Sequence, residues 1–264
     1  MRAKALTIAG SDSGGGAGIQ ADLKTFHTYQ VYGSSVITAI TAQNTLGVQA
    51  FELVSPSLIE RQIVAVLADI GADAIKTGML GNATIIETVA NSLRRYPVAL
   101  VVDPVMVAKS GDRLLVEDAV QALREQLVPI ASLITPNLPE ASVLLGREID
   151  DERTMYAALD DLLKLGAKAV LLKGGHLKGQ PLDLFADGQQ VLELRSERID
   201  TPNTHGTGCT YAAAITALLA RGADLVSAVC QAHAFLYEAI ASAESIGAGH
   251  SPVNHWVWLS ERTV

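Results

Sequence analysis

A glycine-rich segment that leads directly into a small-residue helix is the strongest chemical signal in the chain. Residues 203–210 read Asn-Thr-His-Gly-Thr-Gly-Cys-Thr, and a helical pattern follows at once. Glycines before a helix let backbone N–H groups converge on a ligand, and the helix N-terminus adds about half a positive charge. The stretch Gly206, Thr207 and Gly208 therefore predicts a binding site for an anion.

Cys209 stands in the first turn of this helix, where a thiolate is favoured and the pKa of a thiol is lowered. In a transfer of phosphate to an alcohol, such a group can accept the hydroxyl proton, a role worth roughly 10²–10⁴-fold in rate. The alternative for a lone cysteine is a small buried hydrophobic residue. A cysteine hydrolase that pairs Cys209 with His205 or His176 is a rival, but a third orienting residue is not apparent.

A second glycine-rich segment lies between the first predicted strand and the first predicted helix. Gly16, Gly18 and Ala21 satisfy the dinucleotide fingerprint, yet no Asp or Glu that would bind ribose occurs from residue 23 to residue 51. A P-loop is excluded because Gly-Lys occurs nowhere in the chain. We interpret the segment as a substrate-enclosing loop with backbone donors. Asp22 is predicted, with equal weight, to contact substrate or to supply a favourable charge at the helix start.

Four further polar side chains follow predicted strands. Gln43 offers one acceptor and two donors, which suits the edge of an aminopyrimidine ring, although a solvated strand end is an equal alternative. Asp103 and Glu140 can together hold Mg²⁺ directly or through water, whereas singly each is consistent with a turn or a helix-start carboxylate. Lys173 can offset phosphate charge. Because open α/β sheets bind ligands beyond the carboxyl ends of their strands, the shared position of these residues is the argument for a site.

The elements that must position these residues alternate between strand and helix. Strands are predicted at 4–9, 34–42, 48–54, 74–77, 98–102, 133–135 and 169–173, and helices at 82–96, 117–127, 139–145, 151–165, 208–221 and 224–244. Ser57 and Glu60 indicate a capping box that opens a further helix ending near Gly71. Repeated strand–helix units need crossover connections, so the sheet should be mostly parallel. Asp187-Gly188 is a hairpin signal and adds an antiparallel pair at one edge.

Composition narrows the class of protein. Of the 264 residues, 49% are hydrophobic, 18% charged and only 5% aromatic, which is typical of parallel strands covered by helices on both faces. We find no internal repeat or linker and predict one three-layer α/β/α domain over residues 1–264. The net charge of −8, without a Lys/Arg run, argues against nucleic acid as a partner.

The sequence also indicates where the protein works. No window approaches the roughly 18 consecutive apolar residues of a membrane span, so we expect no membrane partner. The first residues are interpreted as a strand and not as a signal peptide. The two cysteines, Cys209 and Cys230, lack metal spacing and favour a reducing compartment, so we expect a cytoplasmic protein.

A set of segments, in order along the chain, resembles the hydroxymethylpyrimidine-phosphate kinases of the ribokinase-like superfamily. The set consists of residues 6–24, Ala42-Gln43-Asn44-Thr45, Lys76-Thr77-Gly78-Met79-Leu80, Asp103-Pro104-Val105-Met106, Ala108-Lys109-Ser110-Gly111, residues 135–141, Lys173-Gly174-Gly175-His176 and residues 204–209. The resemblance implies a ribokinase-like fold without a separate lid domain, and a homodimer. It also implies two successive phosphorylations of 4-amino-5-hydroxymethyl-2-methylpyrimidine, with ATP and Mg²⁺.

The resemblance assigns roles residue by residue. It places Gln43 against the pyrimidine edge and Cys209 where most ribokinase-like enzymes keep an aspartate base. The remaining assignments fall into three groups: Gly10, Ala17, Asp22 and Met79 in the substrate pocket; Asn137, Lys173, Gly206, Thr207 and Gly208 around the ATP phosphates; Asp103 and Glu140 in the metal shell.

One departure and two alternatives accompany the resemblance. Ser13 stands where many members have proline, which implies a less stiff loop before the glycines. Pyridoxal kinase is the alternative within the superfamily, because it phosphorylates an analogous hydroxymethyl group. A non-catalytic nucleotide- or vitamin-binding module is the alternative from another class, and it would release no ADP.

Overall fold

The computed structural model describes residues 2–106 and 117–257. The strands are β1 Lys4–Ala9, β2 Tyr32–Ile37, β3 Ala39–Asn44, β4 Gly47–Leu53, β5 Ala74–Thr77, β6 Ala99–Val102, β7 Leu133–Ile134, β8 Val170–Leu172, β9 Leu182–Ala186 and β10 Val191–Arg195. The helices are α1 Gly18–Thr28, α2 Pro56–Asp69, α3 Ala83–Leu93, α4 Glu117–Ala122, α5 Leu138–Leu145, α6 Glu152–Leu163, α7 Thr207–Ala220 and α8 Leu225–Ala241. Among these helices none has the length and apolar character to cross a bilayer.

The main sheet has eight strands in the order β10-β9-β8-β7-β6-β5-β1-β2. The six strands from β8 to β2 in this order run parallel, and β9 and β10 form an antiparallel hairpin at one edge. This confirms the predicted mixed sheet with its edge hairpin. Since strand–helix connections return each parallel strand in the same direction, all six carboxyl ends meet at one edge.

Helices cover both faces of this sheet. In β1 the side chains alternate, so that Leu6 and Ile8 pack beneath α2 and α3 while Ala5 faces the layer of α1, α7 and α8. On the second face Phe26, Tyr211 and Phe235 form the aromatic part of the core. The predicted three-layer α/β/α architecture is confirmed.

Two local predictions are wrong. The apolar segment 34–42 is divided at Thr38, because β2 pairs with β1 in the main sheet whereas β3 pairs with β4 in a separate two-stranded sheet. The capping box at Ser57 is absent, since α2 begins at Pro56 and Ser55 occupies the N-cap without a side-chain cap. Proline at the first helical position already has its φ suited to the helix, and it sets the start two residues earlier.

The segment that follows α8 returns across the molecule to the beginning of the chain. The amide of His250 donates to the Thr45 carbonyl at 2.8 Å, at the tip of the β3–β4 hairpin. The Thr28 hydroxyl of α1 donates to the His255 carbonyl at 2.6 Å, and Pro252 forms a parallel bridge with His205. The C-terminal segment therefore fastens the hairpin, α1 and the loop before α7 to one another.

Candidate active site

The predicted site residues meet in one cleft at the carboxyl ends of the parallel strands. The cleft has a volume of about 1400 Å³ and is bounded by the opening glycine loop, the β3–β4 hairpin, the strand ends and the start of α7. Every predicted site residue except Asp22 lines it. A cavity of about 440 Å³ near Ala99, at the opposite edge of the sheet, contains none of them.

The start of α7 has the backbone geometry that the predicted anion site requires. Gly206 occupies the N-cap with φ +75°, which favours glycine, and α7 continues for 14 residues. The first amides of a helix have no intrahelical acceptor and carry its positive end. A Cβ built on Gly208 would lie 3.4 Å from Lys173 Nζ and 3.6 Å from Asp103 Oδ2. A lysine and a carboxylate, delivered by two strand ends, therefore lie beside the start of α7.

The two glycine-rich segments are in direct contact. A Cβ at Gly206 would lie 1.8 Å from the carbonyl oxygen of Gly16, and a Cβ at Gly16 would lie 2.6 Å from the His205 ring. Neither position has room for a side chain. The opening loop therefore packs directly against the start of α7.

Asp12 joins these two segments, and sequence reasoning gave it no role. Its carboxylate accepts hydrogen bonds from the amides of Gly14, Gly16 and Ala17 at 2.8, 3.0 and 2.8 Å, and it lies 3.0 Å from His205 Nε2. Burial alone would raise the pKa of Asp12, but the hydrogen bonds, that of His205 foremost, hold it below its ordinary value. Aspartate two residues before a glycine is typical of an Asx turn, which was the available signal.

Gln43 is held through its backbone and through its side chain. Its amide donates to the Ser13 hydroxyl and its carbonyl accepts from the same hydroxyl, both at 2.7 Å. Its side-chain nitrogen lies 3.3 Å from His205 Nε2, and its side-chain oxygen lies 3.5 Å from the Thr41 hydroxyl. The serine that stands where proline is expected therefore joins the β3–β4 hairpin to the opening loop through hydrogen bonds.

Three further predicted substrate residues belong to the same cleft as Gln43. Gly10, Ala17 and Met79 all line the cleft. A Cβ at Gly10 would lie 3.2 Å from the Met79 sulfur, and the Thr38 hydroxyl donates to the Met79 carbonyl at 2.6 Å. The backbone of Met79 is therefore anchored, and its sulfur lies beside Gly10, where a side chain would crowd it.

Asp22 requires a correction. Its side chain is fully buried outside the cleft wall, and its two carboxylate oxygens lie 2.8 and 2.9 Å from Lys76 Nζ. The Thr7 hydroxyl donates to the same carboxylate at 2.6 Å. Asp22 therefore has no oxygen directed at the cleft. It also lies beyond the first turn of α1, so the helix-start interpretation fails as well.

Lys173 and Asp103 form an ion pair in the cleft, beside the start of α7. Lys173 Nζ lies 3.0 Å from Asp103 Oδ1, which also accepts from the Thr135 hydroxyl at 3.2 Å. Burial opposes the charge of Lys173, but Asp103 and then Glu140 raise its pKa above the ordinary value, so the ammonium is retained. Lys173 is thus a protonated cation placed beside the start of α7.

Asn137 and Glu140 cap α5 reciprocally. The Asn137 side chain accepts from the Glu140 amide at 2.9 Å, and the Glu140 carboxylate accepts from the Asn137 amide at 2.8 Å. This is the helix-start role that the sequence left open for Glu140. Burial, reinforced by Asp103 and opposed by Lys173, raises the pKa of Glu140 to about 7.

Asp103 and Glu140 fit a hydrated magnesium ion and not a cage built wholly of protein ligands. Within residues 2–106 and 117–257, no three His, Cys, Asp or Glu side chains converge to hold a metal. Mg²⁺ commonly binds through one or two carboxylates plus waters and substrate phosphates. Two acidic side chains around Lys173, which interacts electrostatically with both, suit that arrangement.

Cys209 lies in the cleft as predicted, but its protonation state is not the predicted one. Burial raises the pKa of the thiol to about 11, and the carboxylates of Asp22 and Asp103 add to the increase. The Lys76 charge and a hydrogen bond from the Gly18 amide act in the opposite direction. The sequence shows that Cys209 stands at a helix start, which lowers the pKa of a thiol, but it does not show how far the folded chain desolvates the thiol. The resting group is therefore a thiol.

His205, one of the two partners considered for a cysteine hydrolase, is engaged by groups other than Cys209. His205 directs its Nε2 at Asp12 and Gln43, and the sulfur of Cys209 interacts with the Gly18 amide. The segment Ala108-Lys109-Ser110-Gly111, which contributed to the resemblance, lies outside the described residues. The cleft brings together the start of α7, the side chain of Gln43 and the thiol of Cys209.

Comparisons with known proteins agree with this arrangement. The sequence model of the family described as phosphomethylpyrimidine kinase matches residues 12–254. A hydroxymethylpyrimidine/phosphomethylpyrimidine kinase from Rhizobium meliloti is 54% identical, over 97% of this chain and 98% of its own length.

Solved structures extend the comparison. A phosphomethylpyrimidine kinase from Clostridium difficile is similar with a TM-score of 0.82 and 45% identity, covering 90% of this chain and 100% of its own. An ADP complex of a Bacillus subtilis pyridoxal kinase has a TM-score of 0.91 and 43% identity, covering 97% of this chain and 98% of its own. The chain belongs to the phosphomethylpyrimidine kinase family and is a phosphotransferase.

Proposed function

We propose that the protein transfers the γ-phosphate of ATP to 4-amino-5-hydroxymethyl-2-methylpyrimidine and then to the monophosphate, giving the diphosphate used in thiamine biosynthesis. The observation that carries the proposal is the contact between the opening loop and the start of α7, which puts Gln43 and Cys209 in one cleft. The high identity to kinases named for these two substrates supports it.

One group of cleft residues binds the acceptor, and another binds the phosphates of ATP. Gln43 binds the aminopyrimidine edge, with Gly10, Ala17 and Met79 around the ring. The amides of residues 206–209 hold the γ-phosphate, and Lys173 and Asn137 bind the remaining phosphate oxygens. Cys209 accepts the hydroxyl proton as the bond from oxygen to phosphorus forms. Because the transition state of phosphoryl transfer is loose, positioning and charge stabilisation dominate.

Magnesium belongs to the same proposal. Asp103 and Glu140 would hold the ion through oxygen atoms or bound waters, and the bound ion would neutralise charge on the ATP phosphates. Lys173 would then interact partly with the phosphate and less with Asp103, since Lys173 and Asp103 lie beside the start of α7.

An ADP-release assay tests the function. We expect turnover with the hydroxymethylpyrimidine and with its monophosphate, and none with ribose. Binding of ATP without ADP release would instead indicate a non-catalytic binding module. Cys209→Ala should lower kcat by roughly 10²–10⁴-fold while ATP binding persists, because it removes only the proton acceptor. Near-normal turnover of this variant would remove Cys209 from the mechanism.

Pyridoxal phosphorylation is the second candidate function. The specific observation in its favour is the TM-score of 0.91 to a Bacillus subtilis pyridoxal kinase. Pyridoxal carries a hydroxymethyl group that can reach the same thiol. The ratio of kcat/KM for the pyrimidine to that for pyridoxal decides between them, and a ratio below one would reverse our assignment.

We also propose a single kinase domain that forms a homodimer through the β3–β4 hairpin. Both core clusters pack against the one eight-stranded sheet, which supports a single domain. The hairpin exposes Ile40, Leu46 and Phe51 at 60%, 72% and 51%, and a two-stranded sheet is marginally stable alone. Light scattering should give twice the monomer mass, and Ile40→Lys should lower it. A monomeric wild type would contradict the dimer.

The cytoplasm remains our proposed location. Both cysteines are free thiols, which suits a reducing compartment. Fractionation of the source cells, with detection of this chain outside the soluble cytoplasmic fraction, would contradict it.

A further inference from the structure

His205 Nε2 contacts two groups that make opposite demands on it. It lies 3.0 Å from Asp12 Oδ2 and 3.3 Å from the side-chain nitrogen of Gln43. A carboxylate only accepts hydrogen bonds, whereas an amide nitrogen only donates them. Because a ring nitrogen carries either a proton or a lone pair, Nε2 can satisfy only one of these two neighbours.

The surroundings of Asp12 decide that Nε2 carries the proton. The amides of Gly14, Gly16 and Ala17 donate to the same carboxylate, two of them to Oδ2. Burial alone would raise the pKa of Asp12, but His205 and then the amides of Ala17 and Gly14 hold it below its ordinary value. A lone pair of His205 that faced this buried carboxylate at 3.0 Å would oppose one acceptor to another. Nε2 therefore donates to Asp12, whether the ring is neutral or charged.

The hydroxyl of Thr41 makes a matching demand on the other end of the Gln43 amide. A hydroxyl has one proton to donate, and the Ser11 carbonyl, at 2.9 Å, is its near acceptor. The remaining lone pairs of the hydroxyl face the side-chain oxygen of Gln43 at 3.5 Å, so this contact also opposes like groups. A half turn of the amide exchanges its oxygen with its nitrogen. The oxygen then accepts from His205 Nε2, and the nitrogen is directed at the Thr41 hydroxyl.

His205 is itself fixed, so it can hold the amide in this orientation. Its backbone amide donates to the Ser251 carbonyl at 3.0 Å, and its carbonyl accepts from the Val253 amide at 3.3 Å. A Cβ at Gly16 would lie 2.6 Å from its ring, and its side chain is only 15% exposed. The ring therefore packs between the opening loop and the C-terminal segment.

We propose that His205, anchored by Asp12, is a positioning residue that keeps the Gln43 carboxamide with its oxygen toward His205 and its nitrogen toward Thr41. The inference rests on the proposed function, in which Gln43 binds the aminopyrimidine edge. The 4-amino group of that ring donates, and the adjacent ring nitrogen accepts. The amino group therefore binds on the side of His205, which directly precedes α7. Since the hydroxymethyl group is its neighbour on the ring, the hydroxyl is directed toward Cys209.

Discrimination between two ring chemistries tests the proposal. The 4-oxo analogue of the pyrimidine presents an acceptor in place of the amino group and an N–H in place of the ring nitrogen, so the wild type should reject it. In His205→Leu the amide is free to turn. The ratio of kcat/KM for the amino substrate to that for the 4-oxo analogue should then fall about tenfold, the worth of about one hydrogen bond. His205→Gln keeps two N–H donors and should restore the ratio.

His255→Leu is the matched control. It removes another buried imidazole, which lies 3.0 Å from the Thr210 hydroxyl of α7. This variant should destabilise the fold and leave the ratio unchanged. The ratio does not depend on the fraction of protein that folds, because both compounds report on the same active molecules. If His205→Leu keeps the ratio within twofold, or if His255→Leu lowers it equally, His205 only stabilises the fold and the proposal is overturned.

The protonation of the ring gives a measurement without catalysis. Long-range proton–nitrogen NMR on protein labelled in its 6 histidines, with His205→Gln to assign the signal, reports which ring nitrogen carries a proton. We expect a proton on Nε2 of His205, and an unprotonated Nε2 would overturn the inference. If the pyrimidine turns over normally but His205→Leu does not change the ratio, the proposed function stands and the inference fails. If no ADP is released, the proposed function fails, and the ratio of dissociation constants of the two ring compounds then tests the inference in the same variants.

Discussion

A methyl group at Gly206 should separate the two halves of the active site. Gly206 has φ +75°, and its Cβ would lie 1.8 Å from the Gly16 carbonyl oxygen, whereas real Cβ contacts essentially never fall under 3.0 Å. The loops must therefore move apart by at least the difference, about 1.2 Å, in Gly206→Ala. The atoms that the methyl group would meet belong to the backbone, so rotation of a side chain cannot relieve the contact.

The expected result is a large loss of rate with a modest loss of stability. A displacement of about 1 Å in a phosphoryl-transfer site costs on the order of 10²-fold in kcat. The left-handed conformation itself costs about 1–3 kcal/mol for a residue with a side chain. Single-turnover phosphorylation measures the chemical step, and urea unfolding measures the free energy of unfolding.

Gly222 provides a matched control for this experiment. It follows α7 and has φ +88°, and a Cβ added to it would meet no atom within 4 Å. Gly222→Ala should lower the free energy of unfolding by a similar amount and leave kcat unchanged. If Gly206→Ala keeps kcat within twofold, or if both variants lose rate equally, contact between the glycine loops does not align the site.

Three more outcomes follow from the geometry. Because the pKa of the Cys209 thiol is about 11, kcat for the chemical step should rise about tenfold per pH unit from pH 7 to 9. Cys209→Asp should flatten this pH profile. A flat profile in the wild type would exclude a thiolate base. Ser13→Ala removes both hydrogen bonds to the Gln43 backbone and should raise KM for the pyrimidine several-fold while KM for ATP stays constant. Burial, and then Lys24, lowers the pKa of His255 from 6.5 to about 4, so its contribution is complete above pH 6.5 and is lost as the pH falls through 4. His255 should contribute about 3 kcal/mol to the pH dependence of the free energy of unfolding over that range, and acid titration of His255→Gln should show the dependence changed by that amount.

Much of the site could be predicted because parallel strands bring their carboxyl ends together. Asp103, Asn137 and Lys173 each follow a short apolar strand, and the topology alone makes them neighbours. The glycines before α7 indicate in the sequence a backbone conformation that other residues rarely adopt, and Gly206 has such a left-handed φ. Local pattern and global fold agree at these positions.

The remaining features depend on contacts between distant parts of the chain. Asp22 and Lys76 are 54 residues apart, and Asp12 and His205 are 193 apart, so no local pattern relates them. The thiol of Cys209 shows the same limit, because the helix start is local but the burial that dominates its pKa is not. The charge state of a buried group follows from its neighbours in space, which a single sequence does not display.

The fastening of the C-terminal segment to the start of the chain has a consequence for synthesis. Contacts such as Thr28 with His255, which are 227 residues apart, cannot form while the nascent chain is still short of residue 255. The strands and helices of the sheet can assemble earlier on the ribosome. The catalytic cleft, however, is completed last, so a product of premature termination before this segment would be a partly folded chain without kinase activity.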